Sequence, residues 1–65
     1  MSIARKRKDL KGQGIPLEGG DYLHSEERFP VHQPDFLDDA EFNVIIIRPD
    51  TGKVDAAMSI DLDFV

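Results

Sequence analysis

His24, Ser25, Glu26, Glu27 and His32 form the densest group of reactive side chains in this chain of 65 residues. Imidazole and carboxylate both ligate zinc, so His24, Glu27 and His32 make a three-ligand set on paper. Their spacing matches no metal-binding motif, and a stretch of this composition between prolines reads as polar loop. Nucleophilic catalysis needs a hydroxyl or thiol held by a base. Cysteine is absent. Ser2 lies in the N-terminal segment, Ser59 in a strand-like run, and Ser25 next to His24, where adjacency in sequence makes no dyad. Gly12-Gln13-Gly14 lacks the preceding strand and following helix of a nucleotide-binding loop. The expectation is a protein that is not an enzyme, with no catalytic residue, no metal and no cofactor.

What remains is surface chemistry, and it is polarised. Residues 1–11 carry Arg5, Lys6, Arg7, Lys8 and Lys11 against Asp9, whereas the rest sets three basic residues against twelve acids, for an overall charge of −5. Arg5, Lys6, Arg7 and Lys8 are candidate contacts to phosphates or to an acidic partner. The body is too acidic for a groove-filling nucleic-acid domain, so nucleic-acid binding is expected only weakly and through this arm. Asp38, Asp39, Asp55, Asp61 and Asp63 are candidates for a carboxylate-rich face that imitates nucleic acid.

These groups hang on a chain organised around Phe42 to Val65. Val54, Ala56, Met58, Ile60, Leu62 and Phe64 are apolar, and the residues between them are polar apart from Ala57. Period two is the signature of a strand. Pro49-Asp50-Thr51-Gly52 has turn chemistry, with φ preset by Pro and positive φ open to Gly. A four-residue loop there sets Ile47 opposite Val54, Ile45 opposite Ala56 and Asn43 opposite Met58. The apolar face so formed names Ile45, Ile47, Val54, Met58, Ile60, Leu62 and Phe64 as a candidate partner interface. The first strand is apolar on both faces, and the second overhangs it from Ile60 onward, so the ribbon calls for a further strand.

Before the ribbon the signals are weaker. Met1 to Lys11 reads as a short helix, with Ser2 as N-cap and Gly12 as stop. Gly12 to Pro34 holds seven glycines and prolines with no period, yet Ile15, Leu17, Tyr22, Leu23, Phe29 and Val31 are spaced through it as anchors. Ile15–Leu17 and Phe29–Val31 are long enough to add a strand, confined to an edge by Pro16 and Pro30. Asp35 to Glu41 reads as a helical turn capped by Asp35, with Phe36, Leu37 and Ala40 on the ribbon.

The fold expected is therefore small and mainly β: a long β-hairpin (about 42–48 and 53–64), an extended, largely irregular N-terminal arm, and one or two short helical turns. Residues 1–34 form the basic arm and Gly/Pro-rich segment; residues 35–65 form the acidic turn and hairpin. A chain this short without disulfides generally needs oligomerisation or a partner. The function expected is a non-enzymatic interaction or structural protein that assembles by β-strand addition, as a homo-oligomer or as an accessory subunit of a virion or other large complex. The alternative is an acidic inhibitor of a nucleic-acid-binding protein. No signal peptide or membrane-spanning run is read, which points to the cytoplasm or a virus particle, with no membrane and no small-molecule substrate among the partners. Asp61 to Val65 resembles the acidic, phenylalanine-bearing tail by which bacterial single-stranded-DNA-binding proteins recruit partners. That likeness covers five residues, lacks the Gly/Pro-rich linker and places Val65 after the phenylalanine, so it identifies no family.

Overall fold

The computed structural model describes residues 2–65. Its class is mainly β: seven strands, an antiparallel sheet plus a small hairpin, and single 3-10 turns with no α-helix among the described residues. The strands are β1 (Ser2–Lys6), β2 (Ile15–Pro16), β3 (Tyr22–Leu23), β4 (Phe29–His32), β5 (Val44–Ile47), β6 (Val54–Ala57) and β7 (Leu62–Phe64).

The turn chemistry fixes the β5–β6 hairpin in the register expected. Ile47 lies opposite Val54 and Ile45 opposite Ala56. The Arg48 N–H donates to the Lys53 carbonyl at 2.8 Å, and the Gly52 N–H donates to the Arg48 carbonyl at 2.8 Å. Gly52 sits at φ +74°, a conformation that a Cβ makes costly.

Beyond the hairpin the structure departs from the sequence reading. The second strand stops at Ala57, and Ser59–Asp61 forms a 3-10 turn that redirects the chain. The overhang then pairs within the molecule: β7 lies antiparallel to β1, with Lys6 opposite Leu62 and Ala4 opposite Phe64. The sheet order is β6-β5-β4-β1-β7, so two strands joined by one turn occupy opposite edges. Five flat strands would set those edges about 19 Å apart. A single 3-10 turn rises about 6 Å. The sheet must therefore curl toward a barrel, with one face inside.

Residues 2–34 supply the missing strands instead of forming an arm. Ser2–Lys6 is a central strand, not a helix, because Ala4 and Lys6 both point inward and are buried. β4 is central too, not an edge. Pro30 lies opposite Ile3 of β1, and the ladder to β5 starts only at Val31, so the missing N–H falls outside that ladder. The β2–β3 hairpin covers the curled sheet, placing Ile15, Leu17 and Leu23 in one core with Phe29, Val31, Val44 and Ile46. Asp35–Leu37 is a 3-10 turn whose first residue is preceded by Pro34 at the cap and has no side-chain cap. Phe36 points away from the ribbon, 81% exposed.

Candidate functional site

The outer face of the sheet carries the most unusual surface. Antiparallel sheets normally turn polar side chains to water. Here Ile3 and Pro30 are paired across β1 and β4, Ile45 pairs with His32 and Ala56, and Ile47 pairs with Val54. Cross-strand partners share a face, so apolar side chains run across four adjacent strands, with His32 on β4 and Arg5 on β1 as polar members. Ile3 is 38%, Ile47 42% and Val54 70% exposed. A depression of about 310 Å³ opens between Pro30, His32, Ile45, Ile47 and Val54. The inner face of the same strands is the buried one, holding Val31, Val44, Ile46 and Ala57.

Of the interface residues expected from alternation, the structure gathers Ile45, Ile47 and Val54 on this outer face. Met58 is half-buried beyond the end of β6, and Ile60 is exposed on the 3-10 turn. Leu62 belongs to the core and is 5% exposed, while Phe64 sits on the rim opposite Ala4. The period-two run from Val54 to Phe64 thus spans two strands and a turn. Ile3 and Pro30 join the patch from segments far away in sequence, and no local pattern marks them.

The edges are less free than the face. Along β6, the Glu18 N–H donates to the Ala56 carbonyl at 2.9 Å, and Leu17 bridges Ala57. The Gly19 N–H donates to Asp55 Oδ1 at 3.1 Å. Among the described residues, the far side of β7 carries no ladder.

The basic residues divide into structural and surface groups. Lys6 is 2% exposed; its Nζ donates to the Gln13 and His24 carbonyls and pairs with Glu26 Oε2 at 2.9 Å. Hydrogen bonding to Lys6 holds the Glu26 carboxyl below its ordinary range. Arg7 is tied to Asp9 through two hydrogen bonds of 2.8 and 2.6 Å and donates to the Ile60 carbonyl at 2.7 Å. Arg5 and Lys8 have no ion-pair partner among the described residues.

The carboxylates are spread over separate elements. Asp38 and Asp39 follow the second 3-10 turn and are exposed. Asp55 receives the Gly19 and Ala56 N–H groups. Asp61 turns one carboxylate oxygen out of solvent, and Asp63 accepts from the Lys8 N–H at 3.2 Å. The histidine–glutamate loop is spread as well. The His24 ring stands over Gly14, where a Cβ would come within 2.6 Å of it. Glu26 is on Lys6, and His32 is on the outer sheet face. Among the described residues, no three His, Cys, Asp or Glu side chains gather as they would around a metal ion.

Arg48 holds the two hairpins together. Its Nε and Nη2 donate to Asp50 at 3.0 and 2.8 Å, and its Nη1 donates to Asp21 at 2.7 Å. These bonds, to Asp50 first and Asp21 second, raise the guanidinium pKa further. They also hold the Asp21 and Asp50 carboxyls below the usual carboxylate range. No signal in the sequence marks this contact, because Asp21 lies 27 residues before Arg48.

No protein-family model, curated protein or solved structure matches the chain. No helix among the described residues is long and apolar enough to cross a membrane.

Proposed function

We propose that this protein is a non-enzymatic interaction module that assembles with a second copy of itself through the outer face of β4, β5 and β6. The observation that supports this reading is the run of apolar side chains, with Ile3, Ile47 and Val54 exposed and Pro30 and Ile45 half-buried among them, on the side of the sheet where polar residues are the rule. A standard interface takes about 800 Å² from each partner. That is close to a fifth of the 4208 Å² surface of this molecule, and a two-fold pairing of these faces would cover Ile3, Ile47 and Val54. Strand addition stays open at β7, although the overhang expected to provide it is already paired with β1.

Light scattering tests the reading. A mass of twice the monomer that persists at ~0.5 M NaCl, where charge interactions are screened, is expected of an apolar interface. Ile47→Glu and Val54→Glu, at exposed positions, should yield monomer with an unchanged circular dichroism spectrum. A folded parent protein that stays monomeric at high concentration overturns the proposal.

A further inference from the structure

A second depression, of about 460 Å³, lies at the end of β1 and has the opposite chemistry. Arg5, Lys6, Lys8 and Lys11 line it, with Glu26 as the one carboxylate. On a chain of net charge −5, four cations around one hollow are a concentrated exception. Glu26 offsets Lys6, which the fold has already committed to two backbone carbonyls. Arg5, Lys8 and Lys11 remain, and none has an ion-pair partner among the described residues. The Arg5 Nε is out of solvent and makes no hydrogen bond. Buried donors are nearly always satisfied, so this guanidinium has hydrogen-bonding capacity that the chain itself does not use.

We propose that this hollow is a binding site for the phosphate group of a compact ligand. A guanidinium fork beside two ammonium groups suits a tetrahedral dianion, with Arg giving directed bonds and Lys adding point charge. The chain has no glycine-rich loop to hold phosphate by backbone N–H groups, so side chains supply the grip. A long polyanion fits poorly. Outside residues 1–11 the chain carries twelve acids, and Asp63 accepts from the Lys8 N–H at the rim, so an extended phosphate backbone would meet repulsion as it left the hollow. The lining comes from β1, the turn after it and the loop holding Glu26.

Titration of the folded protein, followed by its amide NMR resonances at constant ionic strength, tests the proposal. Inorganic phosphate and glycerol phosphate are expected to give saturable shifts confined to residues 5–12 and Glu26. Tighter binding of the ester would mean an esterified ligand and equal binding a free one; both support the site. A Lys8→Ala/Lys11→Ala variant, changed only at exposed positions, should bind about tenfold more weakly, each lysine-to-alanine step costing up to about fivefold. Glu26→Gln should tighten binding by removing the lone carboxylate. The proposal is overturned if chloride produces the same shifts, if the double variant titrates like the parent, or if a single-stranded oligonucleotide binds more tightly with shifts spread across the sheet.

Discussion

Lys6 shows how one side chain can hide a strand. Its ammonium group is satisfied by two carbonyls and Glu26 while its stem lies in the core, so a charged residue occupies an inward position. With Ile3 facing outward on the same strand, hydropathy there runs opposite to burial, and the run around Lys6 reads as basic tail. The energetic role follows from the partners. Lys6→Met keeps much of the volume but leaves the Gln13 and His24 carbonyls without their donor, at about 1–3 kcal/mol for each group left unsatisfied. Chemical denaturation should therefore show Lys6→Met destabilised by about 2–4 kcal/mol, with Lys8→Met, at an exposed position, within about 0.5 kcal/mol of the parent. Equal stability of the two variants would remove Lys6 from the structural role assigned to it.

At the scale of elements, the Arg48 clamp joins the β5–β6 turn to the loop between β2 and β3 through bonds to Asp50 and Asp21. Both carboxyls titrate below their ordinary range in the folded state, chiefly because of the Arg48 hydrogen bond. A depressed folded pKa stabilises the fold above the unfolded value, and that stability is lost as pH falls through the folded one. The thermal midpoint should fall on acidification below about pH 4. In Arg48→Met the midpoint at neutral pH should be lower and its decline over the acidic window shallower, since the linkage is gone. Parallel curves for the two proteins would rule the clamp out as a source of acid sensitivity. The β5–β6 hairpin was legible because its information is local: a Pro-Asp-Thr-Gly turn and alternation fix register without reference to the rest of the chain. The choice of inner face was not, because Val44, Ile45, Ile46 and Ile47 offer apolar side chains to both sides, and strands from residues 2–32 decide between them. Alternation sets Ile45, Ile47 and Val54 on one shared face, whereas Ile3 and Pro30 reach that face only through pairing between distant strands. The break at Met58 was hidden by a 3-10 turn that falls inside an uninterrupted period-two pattern.

For the whole molecule, the decisive feature is that β6 and β7 are joined by one turn yet form opposite edges of the sheet. Closure of the curl requires β1 and β4, from the first half of the chain, to stand between them. The radius of gyration agrees, at 10.6 Å against about 10.7 Å for a compact domain of this length, so among the described residues no segment trails away as an arm. Cooperativity should follow, since neither half buries its apolar face alone: Val44 and Ile46 of β5 share their core with Ile15, Leu17, Leu23, Phe29 and Val31 from the first half, and among the described residues β7 pairs only with β1. A peptide covering residues 42–65 should therefore lack strand signal in circular dichroism, although it contains the whole hairpin. Mixing it with a peptide covering residues 2–41 should restore that signal, with ellipticity rising toward the intact chain's as concentration increases. A folded 42–65 peptide would mean that the hairpin, not the curled sheet, is the stable unit, and that the first half of the chain merely docks on it.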